Sequence, residues 1–481
     1  MPPSNQTFAA IDTGLFQELG GLVRKLGEYR KHEGGPVLVM DEPWEQANEH
    51  CWGQIEKDPR SALYHLWYSC TRWKKDRGAE HDHVCYAYSR DGLRWSKPNL
   101  GKALHGDSSD NNIISDDFLG ILGSFEDFHD PDPQRRFKRP YAKNADTTPQ
   151  DHPHHARGLH FAVSPDRKNW QDTPESPIKL QRGIADTFNH GFWDSDLEKY
   201  VIITRTHMAI PGSDQIVRSV GRIDSPDFTN WSPLETVFLD KEPGETVRQY
   251  YSMPTFKYAG GYAGLLYVFH SNPGGNPEGD TPIDIELAWS PDSIHWEEIS
   301  HGQPLIERGE EGQFDHGRIF GLWSPRGLIE QTQELRLYYG GCSLGKEMIF
   351  KKPMNRGIGL ATFRKDGLVC LETPSNETVT AKTRTLQLDG RYLVLNANAS
   401  NGCIRVGFED LLGAPIRGYS VEDCNPLEAD ATSHVVSWNH NSDLSTLKNR
   451  HIRLVLEMQN TRFYSFNYIS SPRPEDQHFK R

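Results

Sequence analysis

Ser89-Arg90-Asp91-Gly92-Leu93-Arg94-Trp95 decides the fold, because its pattern, Ser-x-Asp-x-x-x-Trp, returns three times in the same register. The other copies are Ser164/Asp166/Trp170, Ser225/Asp227/Trp231 and Ser290/Asp292/Trp296, and a degraded fifth stands at Asp366-Gly367 with Cys370 where the Trp would be. Successive aspartates lie 75, 61, 65 and 74 residues apart, room for one four-stranded unit each. Asp with Gly or Pro marks a tight turn, since Asp bonds its own downstream backbone and Gly takes positive φ. The Trp then opens the next strand and packs between neighbouring sheets.

Outward from each motif the same grammar repeats. Runs of strand type precede it at 84–88, 158–163 and 285–289, and a second set lies at 63–68, 200–203, 264–269 and 335–339, all rich in β-branched and aromatic residues. Five antiparallel four-stranded units predict an all-β chain with a five-bladed β-propeller, whose radial closure removes free sheet edges. Pro36-Val37-Leu38-Val39-Met40 reads as the strand that closes the last blade. The propeller is expected over 36–377, and six or more short strands over 378–471 read as a C-terminal β-sandwich. Residues 1–35 read as an N-terminal arm with one helix from Gly14 to Lys31, and 472–481 as a polar tail.

The 481 residues, 36% hydrophobic with 12 Trp, 18 Tyr and 21 Phe, supply ample core and exclude a disordered chain. Net charge is −13, from 53 Lys+Arg against 66 Asp+Glu, with no long basic run, so nucleic acid and anionic membranes are not expected partners. No apolar stretch approaches the roughly 20 residues of a membrane span, and the start, Met1-Pro2-Pro3-Ser4-Asn5-Gln6-Thr7, lacks the pattern of a secretory signal. A cytoplasmic location is the expectation, with a homo-oligomer left open. Seven scattered cysteines without a Cys-x-x-Cys pair read as buried thiols. Of the histidines at 152, 154, 155 and 160 the first three fall in a polar connection, so neither metal nor cofactor is expected.

In a propeller the first strands of all blades converge on one end of the channel, so distant acidic residues can face one another. Those strands offer Glu45 and Glu49, Asp130, Asp186, and Asp315, most beside aromatics. Glycosidic cleavage needs one protonated carboxyl for the leaving oxygen and one ionised carboxylate as nucleophile or base, roughly 5–9 Å apart. Flat aromatic faces bind sugar rings. Trp44 and Trp193, outside the repeat register, are the platform candidates; His129, His190, Tyr251 and Arg318 complete the expected substrate contacts. The four repeat aspartates read as turn chemistry.

The plan of propeller plus sandwich resembles the invertase and fructanase enzymes of glycoside hydrolase families 32 and 68, with family 43 sharing the propeller. Phe128-His129-Asp130-Pro131 is similar to the Arg-Asp-Pro signature of the fructoside enzymes, with His129 replacing Arg, and implies a transition-state stabiliser at Asp130. The family's Asn-Asp-Pro-Asn-Gly nucleophile motif is missing, so Glu49 or Glu45 takes that place. Its Glu-Cys acid/base motif is missing too, and Asp186 or Asp315 serves as acid. Pro43-Trp44-Glu45, Ser89 to Gly101, Asn111-Asn112, Phe192-Trp193-Asp194, Tyr338-Tyr339-Gly340-Gly341 and Tyr464-Ser465-Phe466 resemble a broad group of family-32-like proteins. Resemblance to that group implies a glycosidase-like fold and assigns no substrate. The expectation is an enzyme that hydrolyses or transfers a small glycoside or oligosaccharide, with furanosides leading because families 32, 68 and 43 act on them. A lyase using His129, His190 or His316 beside Tyr250 or Tyr251, and a sugar-binding propeller without catalysis, are the alternatives.

Overall fold

In the computed structural model the four Ser-x-Asp motifs fold into one and the same turn. The serine hydroxyl bonds the aspartate at 3.0–3.1 Å, and the aspartate Oδ1 accepts the backbone N–H groups two and three residues on at 2.8–2.9 Å. The residue after each Asp is left-handed, with φ 75° at Gly92, 61° at Arg167, 60° at Phe228 and 62° at Ser293. Only the first requires glycine, because a Cβ there would stand 2.2 Å from the Tyr338 hydroxyl of the fifth unit. The other three take on a strain of about 1–2 kcal/mol that the turn's hydrogen bonds offset.

The structure describes residues 7–471 apart from 75–78, 116–121, 145–156, 175, 177, 179–186, 210–215, 239–246, 272–280, 349, 351–352 and 375. Around the turns lie the antiparallel units. The first comprises Gly53–Lys57, Tyr64–Trp73 and Ala79–Ser89, with Ile113–Ser115 and Trp95–Ser96 at its edge; the second Phe125–Glu126, Phe137–Asn144, Arg157–Ser164 and Gln171–Asp172. The third is His190–Asp194, Lys199–Ala209, Ile216–Ser225 and Glu235–Thr236. In the fourth, Val247–Tyr250 and Thr255–Tyr258 share the partner Gly261–Ser271, followed by Ile283–Ser290 and Glu297–Glu298. The fifth runs Arg318–Gly321, Glu334–Cys342 and Arg356–Arg364, and one parallel pairing, Ile283 to Arg318, joins it to the fourth.

Contacts pass from unit to unit. Gln54 donates to the Ser124 carbonyl, the Tyr200 hydroxyl to Asp127, the Thr255 N–H to His190 and Tyr267 to the Gly321 carbonyl. They then return to the start: Ile55 N–H donates to Trp323 O at 2.9 Å and Trp323 N–H to Gly53 O at 3.1 Å. Gly340 permits this approach, since a Cβ there would stand 1.9 Å from the Cys51 carbonyl. Repeat tryptophans pack between sheets, Trp231 stacking on Phe161 at 4.1 Å and Trp95 meeting Tyr338.

Leu38–Val39 pairs with Arg356–Arg364 as the sequence leads one to expect, and Tyr29–Lys31 extends the same edge. The helix expected over Gly14–Lys31 is corrected. Those residues form a three-residue 3-10 turn, Thr13–Leu15, and the strands Phe16–Glu18, Val23–Leu26 and Tyr29–Lys31. Gly20 and Gly21 sit at φ 61° and 94°, which a right-handed helix excludes, and pairing partners in three sheets outweigh the local preference.

Two further sheets bring the chain's ends together. One holds Val23–Leu26, Val369–Glu372, Arg462–Ile469, Tyr392–Asn398 and Asp430–Val435, with Thr7–Ala9 added; the other holds Phe16–Glu18, Val379–Thr383, His451–Gln459, Leu386–Gln387 and Cys403–Glu409. The crossing into these sheets falls at the Asp366-Gly367 turn, because Val369–Glu372 already pairs with Val23–Leu26. The first residues are therefore woven into the C-terminal sheets. All seven cysteines are free thiols and six are buried. Among the described residues no helix is long and apolar enough to cross a membrane.

Candidate active site around Tyr251

The first strand of the fourth unit is interrupted where the site lies. Tyr250 pairs with Val268 and Thr255 with Gly264, so the edge carries one residue more than its partner between them, a bulge over Tyr251-Ser252-Met253-Pro254. Pro254 has no N–H to continue the ladder. The bulge is held by Tyr251 N–H to Tyr267 O at 2.8 Å, Tyr267 N–H to Ser252 O at 2.9 Å and Thr187 Oγ1 to Tyr251 O at 2.9 Å.

The buried Tyr251 ring is bounded by cations. Lys346 Nζ lies 4.6 Å from its centroid and donates to its hydroxyl oxygen, while the guanidinium carbons of Arg205 and Arg218 lie 5.0 and 5.3 Å away. Burial pushes the phenol pKa up, but Lys346, Arg218 and Arg205 outweigh it, against Glu49, and bring it down to about 8. A phenol poised there exchanges a proton near neutral pH, as acid–base chemistry requires.

His50, from the segment leading into the first unit, packs its ring 4.8 Å from that of Tyr251 at 82°. Its Nδ1 faces Arg318 Nη1 at 3.0 Å, its Nε2 faces Glu49 Oε1 at 3.1 Å, and its N–H donates to the same oxygen at 3.1 Å. Burial, then Arg318, Lys346, Arg205 and Arg356, hold this imidazole well below its usual pKa, so it is neutral. Arg318 begins the first strand of the fifth unit and is buried; its other terminal nitrogen meets Met354 Sδ at 3.1 Å. Arg356 bonds the His50 and Ser69 carbonyls, both at 2.9 Å. Glu49, Lys346 and Arg218 are half-buried, so the cluster reaches the surface through them.

Of the residues singled out from sequence, Glu49, Tyr251 and Arg318 are brought together here. Glu45 is buried elsewhere, taking the Tyr68 hydroxyl at 2.5 Å, Lys97 at 2.7 Å and the Glu42 N–H at 3.0 Å. Asp130 caps its own turn and pairs with Arg135 at 2.7 Å and Lys138 at 2.9 Å; burial raises its pKa, and these cations bring it down to about 2. Asp315 is buried against Lys31 at 2.6 Å and the Tyr339 hydroxyl at 2.9 Å. Asp186 lies outside the described residues.

Trp44 donates to Asn112 at 2.6 Å, and His129 stacks on Trp193 at 3.6 Å. His190 is fully buried; burial takes its pKa down to about 3, and Nε2 accepts the Thr255 N–H at 2.9 Å. Tyr250 donates to Glu298 at 2.6 Å, and His316 lies beside the Gly309 carbonyl at 3.1 Å. Sequence reasoning missed His50, Arg205, Arg218, Lys346 and Arg356. A signal was present in Thr204-Arg205-Thr206-His207, a run of four polar residues that follows the apolar Tyr200–Ile203 of the same strand. Among the described residues no group of three or more His, Cys, Asp or Glu is placed to hold a metal ion.

No family model matches this sequence, and no curated protein does. Among solved structures it is similar to a chain described as "Glycoside hydrolase", at 14% identity and TM-score 0.47 over 70% of this chain and 92% of that one. It is also similar to a β-1,2-mannobiose phosphorylase from Listeria innocua, at 10% identity and TM-score 0.42 over 70% and 97%. An N-acetylgalactosamine deacetylase from F. plautii gives 12% identity and TM-score 0.42 over 72% and 97%. At these values no residue role and no activity passes from them to this chain.

Proposed function

We propose that this protein is a carbohydrate-active enzyme, a five-bladed β-propeller with a C-terminal β-sandwich, that cleaves a small glycoside at the cluster around Tyr251. The contacts that return from Trp323 to Gly53 and Ile55 support radial closure. The resemblance to glycosidase-like proteins supports a glycoside-active enzyme in general and assigns no substrate. The observation that carries the chemistry is Tyr251 itself, a buried phenol under Lys346, Arg205 and Arg218 that gives up its proton near pH 8.

In this reading Tyr251 moves the proton and Glu49 is the carboxylate beside it, with the backbone N–H of His50 bonded to Glu49 and its neutral ring bonded to Arg318. Among the described residues, Glu45, Asp130 and Asp315 are held by lysine or arginine, whereas Glu49 faces His50. Hydrolysis or transfer needs a proton for the leaving oxygen and a group that captures or activates the acceptor at the anomeric carbon.

A second reading, elimination, is favoured by the same cations. There the phenolate takes the proton next to a sugar carboxylate, its C–H electron pair forms the ring double bond, and the neighbouring C–O bond breaks. The leaving oxygen then receives a proton from the Tyr251 phenol, so no oxidant or reductant is needed. A panel of aryl glycosides and oligosaccharides, followed for released sugar and for the ultraviolet absorbance of an unsaturated product, separates the readings. Tyr251→Phe should abolish turnover in either; a folded Tyr251→Phe protein with wild-type turnover overturns the proposal.

A further inference from the structure

Several buried or half-buried cations elsewhere among the described residues come with a carboxylate. Lys138 has Asp127 at 2.6 Å and Asp130 at 2.9 Å, Arg222 has Asp224 at 2.7 Å, Arg248 has Glu286 at 2.6 Å and Lys97 has Glu45 at 2.7 Å. The cluster around Tyr251 differs from these in that its cations share mostly neutral acceptors. The partners the structure shows are His50 and Met354 for Arg318, the Gln249 amide oxygen at 2.7 Å for Arg218, the phenol for Lys346 and two backbone carbonyls for Arg356. Glu49 is the one carboxylate among the described residues seen to act on Tyr251. In a chain of net charge −13 such a local excess is not an overflow of basic composition.

A buried cation without a carboxylate is unfavourable, and neutral acceptors recover only part of its lost hydration. The Nε atoms of Arg218 and Arg318 are also buried without a hydrogen-bond partner among the described residues. Guanidinium groups bind planar carboxylates through paired N–H donors and lose less hydration than an ammonium in doing so. From these contacts we propose that the cluster binds a glycoside carrying a carboxylate, a uronic-acid unit, with Arg218 and Lys346 at the half-exposed side meeting the acid group. The inference rests on the proposal that glycosides bind at Tyr251. A carboxylate fits better than a phosphate or sulfate ester, because its single charge shares the cluster with Glu49 and with a phenol that must also ionise.

The test is calorimetric binding and turnover of aryl glucuronides and galacturonides against the neutral hexosides of the same configuration, with glucose 6-phosphate and glucose 6-sulfate as further arms. The uronides should bind roughly tenfold tighter or more than their neutral counterparts, less so as salt rises. Arg218→Ala and Lys346→Met should each remove about tenfold of that preference, and Arg218→Lys, which keeps the charge and loses the fork, should restore part of it. Equal affinity for neutral hexosides, or tightest binding of the phosphate or sulfate ester, overturns the inference. Preferential uronide binding without turnover upholds it while sinking the catalytic proposal. Tyr251-dependent cleavage of neutral glycosides without any uronide preference does the reverse.

Discussion

Lys346 donates a hydrogen bond to the Tyr251 hydroxyl oxygen while its charge lies 4.6 Å from the ring centroid. Arg205, Arg218, Glu49 and neutral His50 complete the set that faces the phenol. Tyrosinate absorbance of wild type minus Tyr251→Phe should show one tyrosine titrating near pH 8, two units below an ordinary phenol. Lys346→Met should move that titration upward, because burial then acts with less opposition. If the phenolate is the working form, turnover rises through the same pH. The sign for stability is fixed as well: a lowered phenol pKa adds stability that is complete above pH 10 and is lost as pH falls through about 8.

Glu45 sits in a buried network with Lys97, Tyr68 and the Glu42 N–H. Glu45→Gln is expected to lower the melting temperature strongly, since breaking a buried pair costs about 3–5 kcal/mol. Lys97→Met should do the same. The folded fraction of either protein should keep its turnover per molecule, measured at a temperature where both remain folded.

Each Ser-x-Asp turn should respond alike to substitution. Asp166→Ala and Asp227→Ala each remove an acceptor of two backbone N–H groups and are expected to lower the midpoint of urea unfolding, without effect on catalysis. Gly92→Ala should cost more, because it combines a φ of 75° with a Cβ 2.2 Å from the Tyr338 hydroxyl.

His190 carries an acid-sensitivity that denaturation can read. Its imidazole is fully buried, with a pKa lowered to about 3 by burial alone. The unfolded chain takes up a proton below about 6.5 that the native chain refuses. Stability from this group is therefore full above that value and declines from there to about pH 3, by about 1.4 kcal/mol per pH unit per proton. His190→Gln should flatten that slope; an unchanged slope would show that His190 does not supply it.

The repeat made the units legible, because turn chemistry is local: Ser89, Asp91 and the backbone N–H groups they serve lie within six residues. The closing strand at Leu38–Val39 was legible for the same reason, as a short apolar run. The fate of Gly14–Lys31 was not, since its strands exist only by pairing with residues 330 or more positions away. The site was legible in part. Glu49, Tyr251 and Arg318 stand out by type, but what makes Tyr251 special comes from Arg205, Arg218 and Lys346, each on a different strand or turn. Carboxylates such as Asp130 and Asp315 looked reactive on paper because their lysine partners, Lys138 and Lys31, could be seen only in three dimensions.

The most direct measurement is turnover by wild type and Tyr251→Phe across aryl pyranosides, furanosides and uronides, with melting curves for both proteins. The account predicts that wild type cleaves at least one of them and that the phenylalanine protein, equally folded, loses roughly 100-fold or more, the scale of a missing acid–base group. Cleavage by Tyr251→Phe at the wild-type rate would contradict it, and so would a folded wild type that cleaves none.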